Sequence, residues 1–120
     1  MFGFGKSQKK KQEAVRKGGE KFQKLAGEIK QIERTTDEEA LKLYAHFKQA
    51  LFGDNEEDAP GRLDFVGQAK HNAWLELKGT APESAEAEYL QFGFDLLAKY
   101  RPEAAEEFAA QYKEEEPKAE

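Results

Sequence analysis

Helical periodicity, cut into segments by start and stop signals, restricts this chain more than any other feature. Between Phe65 and Lys78, the residues Val66, Ala69, Lys70, Ala73, Trp74 and Leu77 fall at i, i+3, i+4, i+7, i+8 and i+11, one face of a helix that Gly79 ends. Upstream, Thr36-Asp37-Glu38-Glu39 has the form of a capping box, in which Thr and Glu satisfy each other's backbone N–H. The helix it starts is predicted to reach Phe52 and stop at Gly53. Leu43, Phe47, Ala50 and Leu51 form one stripe on it, and Leu41, Tyr44 and Lys48 an adjoining one. A first helix is expected from Glu20, with Phe22, Ala26 and Ile29 inward. A fourth begins at Thr80-Ala81-Pro82-Glu83, a second capping-box pattern. It runs to Tyr100, burying Ala85, Tyr89, Phe92, Leu96 and Tyr100. Pro102 breaks it, and residues 102–112 fit a short fifth helix. With no strand pattern and no repeat, the fold class is all-α with four principal helices.

A chain of 120 residues has room for one core. Residues 1–19 read as a flexible basic leader, 20–101 as the helical domain, and 102–120 as a short helix with an acidic tail that frays from Glu114. The net charge of −5 conceals a polarised chain: residues 1–30 carry nine Lys/Arg against three Glu, and the remainder ten against twenty-one Asp/Glu. A basic lead-in to an acidic domain is the wrong arrangement for a nucleic-acid binder, so a bound anion must be caught by a few placed cations. The absence of cysteine excludes disulfides and thiolate chemistry and suits the cytoplasm. Two histidines leave little for a metal site, and no apolar run approaches a membrane span or a signal sequence.

Two lysines stand out. Lys70 sits inside an apolar stripe, where it either snorkels at the edge or meets an anion. Tyr44 and Lys48, at i and i+4, either pack their stems together or present a phenol beside a cation. Two such cations, each next to an aromatic side chain, suit a phosphorylated, planar ligand. His46 reads as a packed or capping histidine, and His71 as either an exposed residue or a weak ligand contact. Ser7 and Ser84 have no histidine within sequence reach, and Asn55-Glu56-Glu57-Asp58 lacks calcium-loop spacing, so no catalytic centre or metal site is expected. Phe2 and Phe4 beside Lys6, Lys9, Lys10 and Lys11 allow either a solubilising arm or a weak peripheral membrane contact.

Tyr44-Ala45-His46-Phe47-Lys48-Gln49-Ala50, followed by Gly53-Asp54, Pro60-Gly61, Gly67, Lys70, Trp74 and Leu77-Lys78-Gly79, resembles the acyl-CoA-binding protein family. The resemblance covers Phe22 to Tyr100, about two-thirds of the chain. It implies a four-helix bundle of up-down-down-up type and a monomeric, non-enzymatic carrier and buffer of medium- and long-chain acyl-CoA, needing no cofactor. Such a carrier would serve acyl-CoA-using enzymes. By the same resemblance Tyr44, Phe47 and Lys48 face the CoA head group, and Lys70 meets the ribose 3′-phosphate. Tyr89 closes over the nucleotide, and Lys30 matches a first-helix lysine near the site. Ala26, Leu41 and Ala69 would lie along the acyl chain. The chain departs from the family with Val66 and Gln68 in place of common lysines and His71 in place of a common tryptophan. Those departures keep a second reading in view: an interaction module of the same fold with weakened ligand binding.

Overall fold

The computed structural model describes residues 11–112. Five helices follow one another: α1 (Glu20–Ile29), α2 (Asp37–Phe52), α3 (Phe65–Leu75), α4 (Pro82–Tyr100) and α5 (Pro102–Gln111), and no strand occurs among the described residues. α2 and α4 form the central pair. α3 packs on α2, while α1 and α5 pack on α4.

α1 turns Phe22, Leu25 and Ile29 into the core. Leu25 is buried at i+3, so Ala26, expected inward, lies at the edge of the stripe, half-buried. α2 begins at the expected capping box: Glu39 N donates to Thr36 Oγ1 at 3.0 Å, and Thr36 N to Glu39 Oε1 at 2.9 Å. Gly53, at φ 78°, ends it in a conformation that a Cβ would strain. α3 is capped by Asp64, whose Oδ1 accepts from Gly67 N at 2.9 Å. It stops three residues short of the expected Lys78, because Leu77 N and Lys78 N bond back to Trp74 O and Leu75 O, tightening the last turn to i→i−3.

The second capping box does not form. α4 is capped by Ala81 without a side-chain bond, and Pro82 occupies the first turn. Thr80 is used in the preceding turn instead, its N donating to Leu77 O and its O accepting from Gln49 Nε2. α4 also buries Gly93 and Leu97, with Phe92 and Tyr100 only half-buried, because it must face α1, α2 and α5 at once. A Cβ on Gly93 would fall 2.7 Å from Ile29 Cδ1, so the absent side chain sets how closely α1 and α4 approach. The fifth helix is present, and the tilted rings of Phe108 and Tyr112, 4.9 Å apart, close that end of the core.

Residues 12–19 are not a loose arm. They run as an extended strap along the C-terminal end of α2, with Val15 N on Leu51 O at 2.8 Å and Gln12 Nε2 on Asp54 O at 3.0 Å. Arg16 binds Ala50 O and Glu86 Oε1, both at 2.7 Å. Phe2, Phe4, Lys6, Lys9 and Lys10, read as a membrane contact or a solubilising arm, and the tail from Glu114 lie outside the described residues.

Candidate functional site

The α2–α3 pair brings the two singled-out lysines to one aromatic ring. Lys48 Nζ lies 5.8 Å from the centroid of Tyr44, and Lys70 Nζ lies 4.8 Å from the same ring. Tyr44 and Lys48 share a face of α2 because they are four residues apart. Lys70 reaches them from the neighbouring helix. Lys48 is also held 3.9 Å from the Phe52 ring and 5.0 Å from that of Trp74. Trp74 is itself fixed in the core by donating Nε1–H to Gly53 O at 2.8 Å.

Among the described residues no carboxylate pairs with Lys17, Lys30, Lys48 or Lys70, whereas Arg16, Lys99 and Arg101 are all ion-paired. Burial pushes the Lys48 pKa below its ordinary 10.5, the charges of Lys11 and Lys70 push it further, and Glu57 opposes them. Burial, aided by Glu57, raises that of Tyr44. Tyr89 is pushed up to about 12 by burial, so both phenols stay neutral donors at any ordinary pH.

Two cavities flank Tyr44. The first, of about 420 Å³, lies between α1, α2 and α4 and is lined by Phe22, Ala26, Lys30, Tyr44, Phe47 and Tyr89, among others. Its floor is an aromatic cluster, with Phe22 stacked on Phe47 at 5.5 Å and tilted against Tyr89 at 4.9 Å. The second, of about 460 Å³, lies between α2 and α3 and is lined by Leu41, Tyr44, Phe65, Val66, Ala69 and Lys70, with Asp37 and Ala40 completing its α2 side. Both volumes fall in the range of small-molecule sites, and Tyr44 is the shared wall. The two sets of residues singled out from the sequence are interleaved: Ala26 shares a cavity with Lys30, Phe47 and Tyr89, while Leu41 and Ala69 share one with Lys70.

Sequence reasoning missed several members. Lys17, Gln23 and Leu51 also line the first cavity; Lys17 escaped notice because its segment read as a flexible leader. Phe65 and Val66, at the lip of the second cavity, are each 71% exposed, so the apolar character of Val66 belongs to a rim and not to the core. The Phe52–Trp74 contact that houses Lys48 joins residues 22 apart in sequence, which no local spacing predicts.

The histidines stand aside. His46 Nδ1–H donates to Lys42 O at 2.8 Å within its own helix, a packed role. His71 is half-buried, not exposed: Asn55 Nδ2 donates to its Nδ1 at 3.2 Å and its O at 3.0 Å, tying the α2–α3 loop to α3. No cluster of metal-ligating side chains occurs among the described residues, and no described helix is long and apolar enough to cross a membrane.

Comparison with known proteins agrees with this geometry. The family model described as "Acyl CoA binding protein" matches residues 19–92. The acyl-CoA-binding protein homolog of Drosophila melanogaster is 46% identical over 82 residues, 68% of this chain and 95% of that one. The acyl-CoA-binding protein homolog 1 of Caenorhabditis elegans is 42% identical over 80 residues, covering 66% and 93%. Among solved structures, the ACBP of Moniliophthora perniciosa superposes with a TM-score of 0.67 at 31% identity, covering 78% of this chain and 92% of that one. Acyl-CoA-binding protein 2 of Oryza sativa gives 0.63 at 30%, covering 67% and 90%. With nearly the full length of these relatives matched and the same bundle recovered, the chain belongs to the acyl-CoA-binding protein family.

Proposed function

We propose that this protein binds medium- and long-chain acyl-CoA esters non-covalently and serves as their carrier and buffer. The observation that carries the reading is the pair of ammonium groups, Lys48 and Lys70, that both approach the Tyr44 ring beside two largely apolar cavities, with no ion-paired carboxylate among the described residues. Lysine supplies point charge to phosphate, neutral phenols donate hydrogen bonds, and ring faces stack on a base. Lys30 and Tyr89 extend the head-group surface along the first cavity, and Phe47 supplies a ring face there. Ala26, Leu41 and Ala69 offer small or aliphatic walls to a chain. The reading involves no catalytic step and no cofactor: the thioester is held, shielded and released. As a monomer in the cytoplasm, the carrier would hand its cargo to acyl-CoA-using enzymes.

Magnitudes say which ligand is held. Removing ten methylenes from water contributes roughly 8 kcal/mol gross, at about 0.8 kcal/mol per CH₂. Each lysine–phosphate contact adds about 1.5–3 kcal/mol before ordering costs are subtracted. Free CoA lacks the first contribution and free fatty acid the second. Calorimetric titration is therefore expected to give palmitoyl-CoA a far lower Kd than CoA or palmitate, and equal affinity for CoA and palmitoyl-CoA would overturn the proposal.

One observation favours a second reading, an interaction module: Leu63, Phe65 and Val66 are largely exposed together at the start of α3. Lys70→Ala separates the two. A carrier loses acyl-CoA affinity with its fold intact, whereas an interaction module has no such affinity to lose.

A further inference from the structure

The strap lies almost entirely ahead of the family-matched residues 19–92, yet it reaches the first cavity. Its course is built, not incidental. Arg16 bridges the last turn of α2 to α4, and Glu86, which accepts from Arg16 through Oε1, accepts from Gly19 N through Oε2 at 3.1 Å. Between those two anchors sits Lys17. Its carbonyl accepts from Gln23 Nε2 at 3.1 Å, and Gln23 lines the same cavity. Gly18 then turns the chain into α1 at φ 76°; a Cβ there would fall 2.5 Å from the Phe22 ring. The outcome is an exposed ammonium at the rim of a cavity that also contains Lys30, Tyr44 and Tyr89, with no carboxylate in ion-pair distance among the described residues.

We propose that the strap is a wall of the binding site and that Lys17 contacts a phosphate of the bound ester, with Arg16 and Glu86 as its positioning residues. The inference rests on the acyl-CoA reading and extends the site ahead of residues 19–92, which the family model matches. It also identifies a cation that can offset Val66 and Gln68, neither of which carries charge.

Palmitoyl-CoA is titrated at several salt concentrations into the full-length protein and its Lys17→Ala, Lys17→Arg, Glu86→Ala and Lys17→Ala/Glu86→Ala variants. Lys17→Ala is expected to weaken binding about three- to fivefold at low salt, the size of an exposed charge contact, and to flatten the salt dependence. Lys17→Arg restores both, and the Tm is unchanged by either. Glu86→Ala frees the strap and gives a similar loss of affinity and salt dependence, which adding Lys17→Ala does not deepen. If the wild type binds and Lys70→Ala weakens it while Lys17→Ala matches the wild type at every salt concentration, the inference is overturned and the carrier reading stands. Additive losses from Lys17→Ala and Glu86→Ala overturn the positioning role. A wild type that does not bind palmitoyl-CoA overturns both readings.

Discussion

The cations of the α4–α5 end and those around Tyr44 are treated in opposite ways. Arg101 donates to Glu28 Oε1 and Glu28 O at 2.9 Å, and Lys99 to Glu39 Oε2 at 2.8 Å; each fastens α4 or its end to another helix. Lys48 and Lys70 have aromatic rings for company and no carboxylate partner among the described residues. At a half-exposed site a cation–π contact holds a lysine about as well as an ion pair does, but it neutralises none of the charge. The first group's charge is therefore met within the fold, and the second group's is the charge that the proposed acyl-CoA reading assigns to an external anion. Neither charge count nor a missing carboxylate separates them, since Lys42 also lies over a ring, that of Phe92 at 4.2 Å, with no ion pair among the described residues. What sets Lys48 and Lys70 apart is that both approach the Tyr44 ring.

The sharpest way to break the comparison is Lys48→Met, which keeps the apolar stem and removes the charge. Because the folded pKa of Lys48 lies below its unfolded value of 10.5, the fold disfavours the protonated form, and at neutral pH this charge opposes stability. The variant should have a ligand-free Tm at or above that of the wild type. Its affinity for palmitoyl-CoA should fall about ten- to a hundredfold, the loss expected when a charge-assisted phosphate contact is removed. A lower Tm with unchanged affinity would place Lys48 with the structural cations instead.

The reverse experiment is Arg101→Ala. It removes two bonds that join the α4–α5 junction to the end of α1, in a side chain about 29% exposed. Loss of about 1 kcal/mol is expected, lowering the Tm by several degrees, with palmitoyl-CoA affinity within twofold of the wild type. Thermal melts beside titrations decide it: a binding defect at constant Tm would dissolve the distinction between the two regions.

This division was only half legible in the sequence. Helix identities followed from local rules, since Thr36/Glu39 and Gly53 act within a turn of themselves, and α2 begins and ends where they stand. Tyr44 and Lys48 could be paired from spacing, Lys70 stood out as a cation inside an apolar stripe, and the family resemblance implied that both lysines share one site. What spacing cannot give is which carboxylate a cation will find. Arg101 meets Glu28 across 73 residues and Arg16 meets Glu86 across 70, distances at which sequence carries no periodic signal. The same blindness made residues 12–19 read as a loose leader, because an extended strap held by main-chain and side-chain bonds has no pattern of its own. Thr80 misled for a different reason. Its sequence offers a capping box, but the loop uses the residue elsewhere, in bonds to Leu77 and Gln49.

The Glu39 carboxylate makes the structural role of Lys99 visible as a function of pH. Glu39 accepts from Lys99 through Oε2 and from Tyr100 and Thr36 through Oε1. Those three donors, Lys99 first, lower its pKa from 4.5 to about 2. A carboxylate depressed in the folded state adds stability above its unfolded pKa and loses it as pH falls through the folded one. For Glu39 that window runs from 4.5 down to about 2. Glu39→Gln cannot titrate, so its Tm should decline less steeply than that of the wild type across this window, the two curves drawing together toward the acid end. At neutral pH the variant should bind palmitoyl-CoA as the wild type does, because Glu39 is engaged by Lys99, Tyr100 and Thr36 and by none of the cations around Tyr44. Parallel Tm curves would mean that Lys99 and Tyr100 hold Glu39 too weakly to fasten α4 to α2, and the structural half of the contrast would then rest on Arg101 and Arg16 alone.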